Sequence, residues 1–470
     1  MKNKIFINNK INNMSYSPNL SYFLEKMSGF STNYFRLESQ NATTASANQI
    51  VRFTLPSNAL LNLRSFAFHF TATTASASGG KARLPPDISS LVERVEVSCG
   101  GVQLSAGSNY YNVLCAAKRA LTDKNVDPVL GHPDMVRKKS YVDGGAAITA
   151  NETYTGSQSH FCIKSWEGFL GSAEPKIMDS SLVPDLVVSI YLADNSVLAN
   201  VAGNDIAGTA TSGINVDGSG TVSYSLSNIH ATIECMGLAD GTYDNMVSSM
   251  IATKGFIEIP FKQYYSFQDT HSGQMRFSVA TQSLDRIWAV HRNGNFNANK
   301  GAVSIAGYKR TGAFTAATSS GTVDVDVGAP QYDIGGSLDY NKEKLTTTAF
   351  DFPEPAGTNL YQFQLNGAYI PQFRATFEEM YQISCNSVNG YTQNKVGLKT
   401  MKTNYSVQCI RLNLPESEFG RLISGLNTRS VSLNGYYNIT GLTGTPTVNL
   451  FAETTATLMI GAGRQISIEA

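Results

Sequence analysis

The stretch Val92-Glu-Arg-Val-Glu-Val-Ser-Cys-Gly-Gly-Val-Gln-Leu-Ser-Ala-Gly-Ser-Asn-Tyr-Tyr-Asn-Val-Leu-Cys-Ala-Ala-Lys-Arg119 has the outline of a phosphate-binding loop: strand, glycines, helix. Such a loop works only if backbone N–H groups at the helix start point at the phosphate. The chain repeats the plan in Leu360–Ile383, where a strand reaches Asn366-Gly367, a strong hairpin-turn dipeptide. A second short strand follows, then a helix opening on aromatic residues. Aligning Gly101 with Gly367 places Tyr111 on Phe377 and Leu114 on Met380. In both copies the glycines precede a strand rather than a helix, so they read as hairpin tips. The shared order of elements suggests one β-domain used twice.

Other residues with chemical potential fail their structural conditions. Gly461-Ala-Gly463 resembles half a dinucleotide fingerprint but has no room after it for a crossover helix and second strand. Glu378-Glu379 are neighbours on a predicted helix and point apart, whereas a general acid/base pair needs convergent carboxylates. The histidines at 69, 132, 160, 230, 271 and 291 show no H-x-x-x-H or H-E-x-x-H spacing. His69 and His230 fall within alternating strands, where a satisfied sheet histidine is expected, and His132 and His271 fall in loops. No Walker loop or G-x-S-x-G occurs. Tyr264-Tyr265-Ser266-Phe267 reads as core or interface packing, because aromatics chiefly fill sandwich interiors. Arg137-Lys138-Lys139 is too short a cluster to indicate DNA binding. No catalytic, cofactor-binding or metal-binding residue is assigned, and no cofactor is expected.

The elements that would position such residues are mostly strands. A chain of 470 residues suits two or three domains. At 42% hydrophobic and 15% charged residues it has enough apolar surface for real cores. Lys+Arg and Asp+Glu both total 36, so no overall field gathers nucleic acid or anionic lipid. The six cysteines form no C-x-x-C pair, which favours buried free thiols in a reducing compartment. Residues 1–13 lack the apolar core of a signal peptide, and Pro184, Asp185 and Asp194 interrupt the longest apolar tract, 182–202. A soluble protein made in the cytosol is expected, with Met14 an alternative start to Met1.

Ser17 to Gly29 predicts a short helix whose apolar stripe is Leu20, Phe23, Leu24 and Met27. Asn41–Asn48 reads as a linker. From residue 50 the period becomes two, as in Ile50–Leu55 and Leu63–Phe70. Further strands are predicted at 92–98, 160–165, 186–192, 224–235, 256–261, 276–281, 286–291, 360–366, 405–414, 429–437, 447–451 and 455–468. A connecting helix is predicted over 243–252, and 294–355 reads as a long loop. Many short strands joined by turn-rich loops indicate an all-β sandwich or barrel.

Three passages resemble double jelly-roll major capsid proteins, closest to those of polinton-like viruses and virophages. They are Ser165-Trp-Glu-Gly-Phe-Leu-Gly171 followed by 182–193; Tyr243-Asp-Asn245 leading into 257–266; and Thr281–His291. The resemblance covers about 48–470. It implies an N-terminal arm at 1–47, a first jelly roll at 48–238, a linker at 239–255 and a second roll at 256–470 with an insertion around 294–355. It further implies a homotrimer forming a pseudo-hexagonal capsomer, and an icosahedral virion shell around double-stranded DNA, assembled in the host cytoplasm or nucleus. Penton and minor capsid proteins would be partners, without sequence-specific nucleic-acid contact. Leu20, Phe23, Leu24 and Met27 would form an assembly arm that docks on a neighbouring capsomer or an inner membrane, or packs on its own roll. Two other readings stay open on the residues: a carbohydrate-binding sandwich such as a spike or adhesin, and a sandwich-fold glycoside hydrolase.

Overall fold

Alternation along the chain builds two sandwiches of the same design. In the computed structural model the described residues are 30–76, 80–85, 87–105, 109–121, 160–202, 222–238, 241–292, 303–305, 345–350, 352–388, 402, 405–414, 423–429 and 434–470. Leu20, Phe23, Leu24 and Met27, their predicted helix, His132, Arg137-Lys138-Lys139 and most of 294–355 lie outside the described residues.

The first sandwich uses β1 (Phe30–Glu38), β2 (Ile50–Thr54), β3 (Leu60–Ser76), β4 (Val92–Cys99), β5 (Val102–Gln103), β6 (Phe161–Ile163), β7 (Leu186–Leu192) and β8 (Val222–Leu238). They form two antiparallel sheets in the orders β1-β8-β3-β6 and β2-β7-β4-β5. The second uses β9 (Phe256–Thr270), β10 (Gln274–Phe277), β11 (Leu284–His291), β12 (Gly357–Leu365), β13 (Ala368–Ala375), β14 (Val407–Arg411), β15 (Gly435–Leu442) and β16 (Thr447–Gly461). Its orders are β9-β16-β11-β14 and β10-β15-β12-β13. Adding eight to each first-sandwich label yields the second sandwich, so the topology is one jelly roll repeated. Single short strands at Ala45–Ser46, Ile177–Asp179 and Ile466–Glu469 extend the first sheet of each roll, and among the described residues two further two-stranded ribbons stand apart from these sheets.

Each roll is held by aromatic packing between its sheets. Phe53 on β2 meets Phe66 and Phe68 on β3 edge-on, with ring centroids 6.1 and 5.9 Å apart. Burying such a side chain stabilises by roughly 1.5–3 kcal/mol. Along β3 the inward set changes from Leu61 and Leu63 to Phe66, Phe68 and Phe70, which requires an odd number of extra residues, and the register against β8 supplies three. The ladder with β8 shifts there, and the Ser65 hydroxyl donates to the Asn62 carbonyl and accepts from the Glu234 N–H.

Both glycine pairs are hairpin turns. Gly100 and Gly101 have φ of 54° and 85°, and Asn366 and Gly367 have φ of 48° and 88°. Positive φ at both central residues is the turn whose twist matches the flanking strands. Helix α1 (Tyr111–Leu121) then opens at Tyr111; α2 (Gly241–Lys254) connects the rolls; and α3 (Phe377–Ser387) opens at Phe377. The alignment made from the glycines therefore matches helix starts as well as turns. Thr376 caps α3 by accepting from the Glu379 N–H, while the Glu379 carboxylate accepts from the Thr376 N–H.

Several expected boundaries move. Phe30–Glu38, within the stretch expected to be an arm, is the edge strand β1 paired with β8. Nearly all its residues are exposed, so the sequence carries no buried period there. The strand expected at 429–437 is Gly435–Leu442. Residues 447–451 and 455–461 belong to one unbroken strand, β16, and a separate short strand follows at Ile466–Glu469. The polar run Glu453-Thr454-Thr455, which overlaps the gap at 452–454 between the two expected strands, is buried.

Candidate functional site

The buried polar run marks the junction between the rolls. On β9, the edge of the second roll's first sheet, the Gln263 amide donates to the Leu104 carbonyl just after β5, at 2.8 Å. Tyr110, before α1, donates its hydroxyl to Gln268 at 2.6 Å. Lys118 on α1 donates to Glu167 at 2.5 Å and to the Tyr264 hydroxyl at 2.9 Å. Tyr264 also donates to Glu167 at 3.1 Å. The Ser172 hydroxyl accepts from the Lys262 N–H at 2.7 Å, and Phe169 meets Phe261 edge-on at 5.1 Å. One roll thus presents its fifth strand, the helix after it and the 167–174 segment to the first strand of the other.

Beneath this contact lies a charged network. The Lys262 ammonium donates to Asp285 at 2.8 Å and to Thr455 at 2.9 Å. Arg286 donates to Glu453 at 2.7 Å, and the Trp288 indole N–H donates to the other Glu453 oxygen at 3.1 Å. Burial pushes the Glu453 carboxyl up, but Arg286, with Lys118 and Lys262, outweighs it and brings the pKa down to about 2. Burial works against the Lys118 charge, while Glu167 and Glu453 more than offset it and hold the ammonium above its usual range. Since Lys118 belongs to the first roll and Glu453 to the second, the charges bind the rolls together as well as each sheet.

Among the described residues, the two strands equivalent to those at this junction stay unpaired along one edge. β1 occupies in the first roll the place of β9, and carries Tyr34 and Phe35, 67% and 46% exposed. β13 occupies in the second roll the place of β5, and carries Tyr369 and Phe373, 48% and 52% exposed. Exposed aromatics on unpaired strand edges are surfaces suited to a partner.

A second cluster lies on the outer face of the first roll. His69 on β3 and His230 on β8 are paired in register, and His160 precedes β6. One ligand nitrogen from each lies within 4.8 Å of the others. Burial, with the neighbouring His230, His160 and Arg36, lowers the His69 pKa to about 4. The sequence reading assigned no metal residues, because these histidines share no local spacing; only the sheet order brings them together. His271 and His291 form a separate buried pair in the second roll, 3.1 Å apart, with His271 stacked on Tyr437.

Other sequence candidates are accounted for locally. Glu379 caps α3, and Glu378 pairs with Lys402 at 2.7 Å, so the two carboxylates diverge. Tyr264 is buried at the junction, as interface packing. All six cysteines are free. No described helix is long and apolar enough to cross a membrane.

No protein-family model matches the chain, and no curated protein matches it. Solved structures do. PBCV-1 VP54, fitted into a reconstruction of the virophage Sputnik, superposes with a TM-score of 0.51 at 14% identity, covering 94% of this chain and 97% of that one. The Faustovirus major capsid protein gives a TM-score of 0.52 at 11% identity, covering 98% and 93%. A quasi-atomic PBCV-1 capsid chain gives 0.50 at 13%, covering 94% and 97%. Identities this low speak to the fold: the chain is a double jelly roll of the kind found in viral major capsid proteins.

Proposed function

We propose that the chain is a viral major capsid protein that closes threefold into a pseudo-hexagonal capsomer. Capsomers would tile an icosahedral virion shell around double-stranded DNA, with penton and minor capsid proteins completing it. The role is structural, and no chemical step is assigned. One observation carries the reading: the junction inside the chain joins a fifth-strand side to a first-strand edge, and the other first strand and the other fifth strand are sheet edges with exposed aromatics. A second copy can repeat that contact, β13 and α3 of one chain meeting β1 of the next. Contacts of this head-to-tail kind close into rings when the rotation permits.

In this reading residues 30–238, which extend the expected 48–238 by strand β1, and 256–470 carry the two rolls, 239–255 links them, and the insertion around 294–355 is a surface tower or a threefold contact. Leu20, Phe23, Leu24 and Met27 act as an assembly arm against a neighbouring capsomer or an inner membrane. A deletion that tests the arm should stop at residue 29, because Phe30–Glu38 is a sheet strand. The glycan-binding alternative needs an exposed aromatic platform, whereas Tyr34, Phe35, Tyr369 and Phe373 sit on edge strands.

The test is the mass of the purified protein by light scattering over a range of concentrations, followed by electron microscopy. A threefold mass and six-lobed particles are expected. A protein that stays monomeric at millimolar concentration would overturn the proposal.

A further inference from the structure

Three imidazoles on adjacent segments of one sheet face are arranged as a ligand set. We propose that His69, His160 and His230 bind one divalent transition-metal ion of the zinc class on the outer face of the first roll. The site is complete within one chain, so it stands apart from the assembly reading.

The first argument is distance. His69 Nδ1 and His160 Nε2 are 3.1 Å apart, and one nitrogen of each of the three rings lies within 4.8 Å of the others. Two nitrogens bound to a tetrahedral zinc ion at ~2.0–2.1 Å stand roughly 3.3 Å apart. The rings at 69 and 230 are nearly parallel, with centroids 5.0 Å apart, and His160 stacks on His69 at 5.2 Å.

The second argument is how the rings are held. A metal-binding imidazole is commonly oriented through its other nitrogen. His69 Nε2 lies 2.9 Å from the Thr232 hydroxyl, and His230 Nδ1 lies 3.0 Å from the Asn228 carbonyl. With Nε2–H of His69 and Nδ1–H of His230 donating there, the remaining nitrogens keep their lone pairs.

The third argument is the backbone. The β8 ladder shifts between Ser227 and His230, and Asn228 adopts a φ of 51°. A bulge at this position re-aims a side chain, and asparagine is among the few residues that take up left-handed backbone readily. Here the bulge turns the Asn228 carbonyl onto His230, whose side chain stacks with the other two.

The surroundings fit a cation with an open coordination position. Arg36 is the nearby positive charge, and it pairs with Glu38 at 2.7 Å. Cys162 lies with its sulfur 3.9 Å from His69 Nε2, adjoining the cluster without joining its nitrogens. His160 is exposed, leaving that side of the ion to water.

The experiment uses the full chain, stripped with a chelator and titrated with Zn²⁺ by calorimetry and with Co²⁺ by visible absorption. One ion per chain, a dissociation constant of micromolar or tighter, and a Co²⁺ ligand-field band are expected. His160→Gln should weaken binding by at least ~10–100-fold, and Thr232→Val should weaken it by about 10-fold through the loss of ring orientation. The His160 side chain is exposed, so its replacement leaves the core intact; circular dichroism checks this. Absence of saturable binding, or equal binding by wild type and His160→Gln, would overturn the proposal.

Discussion

Arg286 on β11 and Glu453 on β16 form an ion pair of 2.7 Å whose side chains are only 9% and 2% exposed. The Trp288 indole N–H donates to the second Glu453 oxygen, and the Arg286 Nε–H donates to the Ser387 carbonyl at the end of α3. Breaking one partner of such a pair leaves an uncompensated buried charge. Glu453→Ala should therefore lower the unfolding free energy by about 3–5 kcal/mol in urea. The double substitution Arg286→Met, Glu453→Leu should restore most of that loss. A loss under ~1 kcal/mol for Glu453→Ala would show that the pair does not organise the sheet.

Acid should weaken the second roll in two stages. Burial, with His271 alongside, lowers the His291 pKa from an ordinary 6.5 to about 3. The unfolded chain therefore takes up a proton below pH 6.5 that the folded chain refuses, and stability falls as pH drops from 6.5 toward 3. Glu453, lowered from 4.5 to about 2, contributes stability present above pH 4.5 and lost as pH falls toward 2. Urea midpoints measured from pH 7 to 3 should decline throughout and steepen below 4.5. His291→Gln should flatten the upper stage, and a flat wild-type profile between pH 6.5 and 5 would contradict the assignment.

The two glycines of the first hairpin should differ in tolerance. Both have positive φ, which costs other residues about 1–2 kcal/mol. A Cβ on Gly101 meets nothing within 4 Å, while one on Gly100 falls 2.7 Å from Pro184 Cγ. Gly100→Ala should lose a further ~1–3 kcal/mol from overpacking, read as a lower thermal midpoint than that of Gly101→Ala.

Charge placed on the open edges should separate folding from assembly. Tyr34→Glu on β1 and Phe373→Glu on β13 alter exposed side chains, so each variant should unfold within about 0.5 kcal/mol of wild type. Each should nonetheless abolish the threefold species in light scattering. Wild-type mass in both variants would remove these edges from the contact.

The legible parts of the fold were those where local chemistry sufficed. Leu186–Leu192 reads directly as a strand because its apolar run is bounded by turn residues, and it is β7. The Gly101–Gly367 alignment succeeds because positive φ demands particular residues, and it carries Tyr111 onto Phe377 as paired helix starts. The failures arise where a distant segment sets the environment. Residues 452–454 read as a gap between strands because none of the charges that hold Glu453 ionised, Arg286, Lys118 and Lys262, is nearby in the chain. β1 reads as an arm because an edge strand with exposed side chains shows no period. His69 and His160 are 91 residues apart, so only the strand order reveals that they meet.

The position of β16 after the whole of the first roll bears on synthesis. Translation completes the first roll while β16 is still unmade, and domains generally fold as units in that order. The Lys118 ammonium and the Leu104 carbonyl are thus in place as a ready-made mould before Glu453 leaves the ribosome. The earlier half of the polypeptide serves as a built-in folding template for the later half, and the later half released alone would leave the Gln263 amide without its Leu104 acceptor and the Tyr264 hydroxyl without Glu167 and Lys118.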